Sequence, residues 1–326
     1  IEQKLSLERQ AFDARMLISN GLDSSALTDV KIELFFQDRD NNPVIGTTDA
    51  NAVGAKFFYR TDSLSGINNL ENGNIAAKSA AEIHWLIIPA AGTGGVAPSG
   101  TLYYVGAKVT YTLLGKTSTV DVTPDYIVVR PQPLLQLDYF LPQEVHGDDP
   151  WTAEVEAPEP YTLGVRIKNN GGGTSYKTTI ESAQPKIVEN RQGLLSDFQI
   201  LGGYVNAGPA GKTLLLNFGD IAGGTSTMGR WNMITTLSGR FTSFDASYTH
   251  AADLGGAVTS LIETVTTHTL VRDVKVDLPG RDSVRDFLAK DVDVMRVYES
   301  DGTDNRVTDL SAEARTSQDG QALTLT

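Results

Sequence analysis

The chain has 326 residues, 40% of them hydrophobic and 21% charged, with a net charge of −13 and no cysteine. At ~100–200 residues per domain that length holds two or three domains, and the composition excludes a disordered chain. The missing cysteines exclude a disulfide scaffold and thiolate chemistry, the acidity argues against nucleic acid as a partner, and no apolar run approaches the ~18 residues needed for membrane insertion.

Taken in order, the chain reads as short strands. Residues 4–8 (Lys-Leu-Ser-Leu-Glu) open with one, and residues 31–36 alternate before running apolar. Asp38, Asp40 and Asn42 resemble the first half of an EF-hand loop, but Pro43 replaces the central Gly, so a polar hairpin competes with calcium binding. Residues 102–105, 108–113 and 118–122 are β-branched and aromatic, which favours strands. A proline-rich stretch follows. Within it, residues 134–141 (Leu-Leu-Gln-Leu-Asp-Tyr-Phe-Leu) read as an extended segment covering an edge or joining two domains.

Asp148 and Asp149, with Glu154 and Glu156 nearby, form a second oxygen-rich cluster that is a calcium candidate at a junction. Asp301, Asp304 and Asp309 form a weaker one. Further strands are expected over residues 163–167, 176–180, 198–201, 213–218 and 241–249. Asn206 to Thr213 brushes against the phosphate-loop pattern, but strand rather than helix follows it. Asp282 to Lys290 is the best helix candidate, with Asp282 as N-cap. Residues 294–307 read as a hairpin around Asp301-Gly302-Thr303. Both ends of the chain read as strand, so a stretch of a longer polypeptide is expected.

An internal repeat organises these pieces. Gly73-Asn74-Ile75 precedes Trp85 as Gly219-Asp220-Ile221 precedes Trp231, with twelve residues from Gly to Trp in both. Tyr111-Thr112 and Tyr248-Thr249 follow. Upstream, Ile18-Ser19-Asn20-Gly21 parallels Ile167-Lys168-Asn169-Asn170-Gly171. A repeat of this length is a domain rather than a solenoid unit. About seven short strands per module without alternating helices indicate tandem Ig-like antiparallel β-sandwiches. The expected limits are residues 1–135, 136–273 and an incomplete third module with a short helix at 274–326. Trp85 and Trp231, with Tyr111 and Tyr248, are the expected core.

Residues 163–173 (Leu-Gly-Val-Arg-Ile-Lys-Asn-Asn-Gly-Gly-Gly) and 218–226 (Phe-Gly-Asp-Ile-Ala-Gly-Gly-Thr-Ser) resemble the cell-adhesion-related (CARDB-like) Ig-like domains of bacterial surface proteins. The match covers about a third of the second copy. In the first copy Ala76-Ala77-Lys78 stands where that family has its turn glycine. The resemblance implies an extracellular or cell-surface setting in long modular chains and no active site.

None of His84, His146, His250 and His268 has zinc-site spacing, and no G-x-S-x-G elbow is present. The sequence therefore predicts a non-enzymatic structural, spacer or adhesion-type segment without a cofactor other than calcium. Its partners are neighbouring domains of the same chain, other protein subunits or surface glycans. The alternatives are a subunit of a self-assembling filament or sheath and a carbohydrate- or protein-binding module.

Overall fold

The computed structural model describes residues 1, 3–181, 186–187, 197–243, 261–320 and 322–325. The fold is all-β. The first module contains β1 (Leu5–Leu7), β2 (Phe12–Asn20), β3 (Leu27–Asp38), β4 (Pro43–Val44), β5 (Gly46–Thr47), β6 (Phe57–Ser65), β7 (Gly73–Ile75), β8 (Ser79–Pro89), β9 (Thr101–Leu113) and β10 (Lys116–Arg130). One sheet has the order β1-β10-β9-β3-β4, with β7 also paired to β3, and the other has the order β2-β8-β6-β5.

Every second residue of these strands turns inward, as the pleat requires. Phe12, Ala14, Ile83, Trp85 and Ile87 from one sheet meet Val30, Ile32, Phe36, Val105 and Ile127 from the other. Phe36 and Phe57 stack with ring centroids 4.8 Å apart. This is a β-sandwich core between two sheets.

The second module begins with β11 (Leu135–Pro142), β12 (Glu144–Val145), β13 (Tyr161–Asn169), β14 (Ser175–Glu181), β15 (Lys186–Ile187) and β16 (Phe198–Val205). It continues through β17 (Gly208–Gly211), β18 (Leu215–Ile221), β19 (Ser226–Thr235), β20 (Gly239–Ser243) and β21 (Ile262–Val274). Then come β22 (Asp286–Asp291), β23 (Val294–Tyr298), β24 (Asp304–Arg306), β25 (Thr316–Asp319) and β26 (Ala322–Leu325). The large sheet has the order β17-β16-β19-β13-β11-β21-β22-β23-β24. Its inner face packs Leu137, Tyr139, Val165, Ile167, Trp231 and Met233 against Leu216, Phe218 and Ile221 of β18.

Three findings correct the sequence reading. Residues 134–141 do not cover an edge: β11 is a central strand, paired antiparallel to β13 and parallel to β21. Its near-continuous apolar run follows from burial on both faces. Asp282 to Lys290 is not a helix. Asp282 Oδ1 accepts the Val284 amide at 2.8 Å, which makes an Asx turn, and Phe287 and Ala289 then alternate inward on β22.

The third finding concerns the segment after residue 273. It continues the large sheet through β22, β23 and β24 instead of starting apart. The sheet coils back on itself, because β13 touches its distant end: Phe287 lies against Gly164, and Lys168 Nζ donates to Gly302 O at 2.9 Å. The hairpin expected at residues 294–307 is present as β23 and β24.

The two modules share register. Trp85 stands opposite Ala14, and Trp231 opposite Leu163. Asn20 and Asn169, each six residues beyond those partners, are buried. Asn20 Nδ2 donates to Ile75 O (3.2 Å) and Ala76 O (3.0 Å); Asn169 Nδ2 donates to Ile221 O (3.0 Å) and Gly173 O (2.8 Å). Ser79 Oγ and Thr225 Oγ1 donate to Ala76 O and Ala222 O respectively. Lys78 (φ 51°) adopts the left-handed conformation that Gly224 (φ 74°) adopts at the matching turn.

Candidate functional site

The residues singled out in the sequence fall in separate places. Trp85 and Trp231 are 3% and 1% exposed, in the centres of the two cores. Trp231 Nε1 donates to Leu214 O at 3.0 Å. Tyr111 is half-buried against the first core. Tyr248 and His250, with residues 244–249 of the expected strand, lie outside the described residues.

Asp38 organises the β3–β4 hairpin. Its Oδ1 accepts the Asp40 and Asn42 amides, both at 2.9 Å, and its Oδ2 accepts Asn42 Nδ2 at 3.1 Å. These bonds, with the Asn42 side chain foremost, hold the Asp38 carboxyl below its ordinary range. Asp148 Oδ1 accepts the Glu156 amide, and Asp149 Oδ1 accepts the Trp151 amide, both at 3.0 Å. Asp38, Asp148 and Asp149 thus serve as acceptors for their own loops, while Asp40 and Asn42 donate to Asp38. Among the described residues no group of three or more His, Asp or Glu side chains is arranged to hold a metal ion.

Asn206 Oδ1 accepts the Met228 amide at 2.9 Å at the start of the β16–β17 hairpin, so the phosphate-loop lookalike is a strand turn. His84 faces outward beside Trp85, with Nδ1 3.0 Å from Asp13 and Nε2 3.3 Å from Glu82.

Two arrangements escaped the sequence reading. The first joins the modules. Glu8 is buried at the turn after β1, where Oε1 accepts the Gly94 amide at 2.6 Å and Oε2 accepts the Gln132 amide at 3.3 Å. Buried Arg9 lies beside it, with Nη1 3.6 Å from Glu8 Oε2, and donates through Nη2 to Pro133 O. Burial lowers the guanidinium and Glu8 partly restores it. From the other module, Asn170 N donates to Leu134 O at 2.7 Å and Gly173 N to Gln132 O at 3.2 Å. Gly172 lies against the Gly95 carbonyl, where a Cβ has no room.

The second arrangement is a charged network on the back of the large sheet. Arg166 (β13) is fully buried and donates through Nη2 to Asp138 Oδ2 (β11) at 2.8 Å and through Nη1 to Asp304 Oδ1 (β24) at 2.5 Å. His268 (β21) stands between Asp291, 2.6 Å from Nδ1, and Asp138, 3.4 Å from Nε2. Its ring stacks on Phe140 at 5.0 Å, and the Tyr298 hydroxyl donates to Asp291.

Burial works against a charged His268, but hydrogen bonds with Asp138 and Asp291 outweigh it and raise the imidazole above its ordinary value. Burial likewise opposes the Asp138 carboxylate, but His268 and Arg166 outweigh it and hold the group at about 2. Both ring nitrogens face carboxylates, an arrangement that favours the protonated imidazole. The network ties six strands of one coiled sheet and includes no serine or threonine nucleophile. The signal for it was a charged residue inside an apolar run: Asp138 in β11 and Arg166 in β13.

No protein-family model matches this sequence, and no curated protein does. Among solved structures the chain is similar to the secreted serine protease VesC from Vibrio cholerae, at 9% identity and a TM-score of 0.23, covering 76% of this chain and 50% of that one. This chain therefore spans half the length of that protease chain. It is also similar to the CsuC–CsuE chaperone–tip adhesion subunit pre-assembly complex from archaic chaperone-usher Csu pili of Acinetobacter baumannii, at 11% identity and a TM-score of 0.21, covering 75% of this chain and 87% of that one. The YadV chaperone gives 10% identity and a TM-score of 0.21, covering 94% of this chain and 98% of that one. At these TM-scores the likenesses carry no argument about activity or partners.

Proposed function

We propose that the chain is a non-enzymatic spacer or adhesion-type segment of a larger extracellular bacterial protein, built from two related Ig-like modules held at a fixed angle. The observation that carries this reading is the junction at Glu8 and Arg9. A hinge would leave the linker solvated, whereas here linker groups bond to buried side chains of the first module and to the glycine turn of the second. The CARDB-like pattern at residues 163–173 and 218–226 supports the surface setting. Neighbouring domains of the same chain are the first partners in this reading.

The chain has no cysteine, so two introduced thiols report without interference. Leu114→Cys and Tyr176→Cys are exposed positions in the two modules and carry a pair of spin labels. The expected result is one narrow inter-label distance distribution, broadened by Glu8→Ala, which leaves Arg9 as an uncompensated buried charge. An unsubstituted junction as broad as the Glu8→Ala variant overturns the reading.

A further inference from the structure

An antiparallel sheet with one face on a core turns polar side chains to water on the other. The outer face of the first module's β1-β10-β9-β3-β4 sheet keeps this rule at one end and breaks it at the other. At the first end Thr110 bonds to Thr119 at 3.0 Å, Thr112 bonds to Thr117 at 3.2 Å, and Lys31 Nζ donates to Glu33 Oε1 at 2.8 Å. At the other end stand Phe35, Leu102, Tyr104, Tyr126 and Val128. Their inward neighbours Phe36, Tyr103, Val105, Ile127 and Val129 belong to the core, and these five do not.

Register makes the five contiguous. Tyr126 stands opposite Tyr104, Tyr104 opposite Gln37, Val128 opposite Leu102, and Phe35 opposite Gly106. Opposed side chains start about 4.5–5.5 Å apart, so they touch across the strands. A Cβ at Gly106 would meet the Phe35 ring at 2.3 Å, so the bare glycine makes the room that the ring fills. Tyr126 is 44% exposed, and the other four keep part of their surface in water. Exposed apolar patches of this extent mark binding sites.

Two features define the occupant. The charges around the patch cancel, in a chain whose net charge is −13. Lys4 pairs with Asp125 at 2.5 Å and Lys31 with Glu33 at 2.8 Å, while Lys108 stands opposite both Glu33 and Asp121. The complementary partner is uncharged. The patch also carries polar tips: among the described residues the Tyr104 and Tyr126 hydroxyls and Gln37 Oε1 have no hydrogen-bond partner. An apolar protein surface would strand these groups, whereas a sugar presents C–H faces to aromatic rings and hydroxyls to the polar atoms at their rims. We propose that this face binds an uncharged oligosaccharide, with pyranose rings stacked on Phe35, Tyr104 and Tyr126 and sugar hydroxyls bonded to the two tyrosine hydroxyls and Gln37. Binding here does not depend on the spacer reading, because the face lies within one module and a flexible junction leaves it unchanged.

The probes are cellohexaose, xylohexaose, mannohexaose and chitohexaose, each titrated into the full chain by calorimetry, with oligogalacturonate as the acidic counterpart. Saturable binding of at least one uncharged hexasaccharide is expected, and none of oligogalacturonate. Tyr104→Ala and Tyr126→Ala are each expected to weaken that binding about five- to tenfold. Tyr104→Phe keeps the ring and loses the hydroxyl, so it falls between Tyr104→Ala and the parent. Thr119→Ala, at the threonine end of the same face, binds as the parent does. All these side chains point away from the core, and an unchanged circular dichroism spectrum shows that each variant folds.

Four results overturn the proposal. One is the absence of saturable binding by all four uncharged hexasaccharides. Another is oligogalacturonate binding as tightly as they do. The third is full affinity in both Tyr104→Ala and Tyr126→Ala, which places the sugar elsewhere. The last is self-association of the chain alone that Tyr104→Ala abolishes, which makes a second copy the occupant.

Discussion

Lys78 offers a test in which the repeat itself predicts the sign. Its φ of 51° lies in the left-handed region, and the matching residue of the second module, Gly224, has φ 74°. A side chain there costs roughly 1–2 kcal/mol, and glycine gives back about 0.5–1 kcal/mol through the greater freedom of the unfolded chain. The Lys78–Asp23 ion pair, 2.8 Å long, joins two exposed side chains and contributes next to nothing. Lys78→Gly therefore stabilises the first module by about 0.5–1 kcal/mol, which slows exchange of its most protected β8 amides roughly two- to fivefold. Gly224→Ala acts in the opposite direction on β19. A Cβ at Gly224 meets nothing within 4 Å, so any loss there is backbone strain alone. Faster exchange in Lys78→Gly would falsify the equivalence of the two turns.

Two other outcomes follow from burial and charge. Trp85→Ala and Trp231→Ala should each lower the unfolding free energy of their own module by about 3–5 kcal/mol in urea titrations, and a loss below about 1 kcal/mol refutes the core assignment. The charged network gives the second module a pH dependence of known sign. His268 is raised, so its contribution is complete below the ordinary imidazole value of 6.5 and fades as the pH climbs through the folded value. Asp138, held at about 2, contributes fully above the ordinary 3.8 and loses its contribution as the pH falls. The melting temperature of the second module is expected to peak between about pH 4.5 and 6.5 and to decline as the pH climbs further and His268 titrates. His268→Gln removes the alkaline decline, and an unchanged slope in that variant assigns it elsewhere.

The sandwich class was legible because period two survives wherever one face of a strand meets a core. Trp85 and Trp231 could be placed on equivalent strands from spacing alone. The reading failed where a strand is covered on both sides. β11 lost its alternation and passed for a linker, since Leu137 and Tyr139 face one core while Asp138 and Phe140 face the other. Asp282 failed for a local reason, because the same side chain caps a helix or closes an Asx turn, and only the alternation of Phe287 and Ala289 decides between them. In the Arg166–Asp138–His268 network, Asp138 and His268 are 130 positions apart in the chain. Pairing of β11 with both β13 and β21 brings these three together, and the coil of the sheet adds Asp304.

The linker divides its backbone groups between the two modules. Pro131 and Pro133 have no amide hydrogen, so residues 131–134 offer two donors, Gln132 N and Leu134 N. Gln132 N goes to Glu8 of the first module, and Leu134 N goes to Asn169 Oδ1 of the second at 3.1 Å. The carbonyls divide in the same way: Pro133 O accepts from Arg9, while Gln132 O and Leu134 O accept from Gly173 N and Asn170 N. Bending the junction breaks bonds on one side or the other and strands buried polar groups, since an unpaired buried group costs about 1–3 kcal/mol. Asn169 makes the coupling tighter, because the side chain that holds Leu134 also donates to Ile221 O inside the second module. Its counterpart Asn20 donates to Ile75 O in the same way, and both Oδ1 atoms close a local turn, accepting Leu22 N in the first module and Gly171 N in the second, each at 3.1 Å. One geometry thus closes a turn in both modules, and in the second it also clamps the linker.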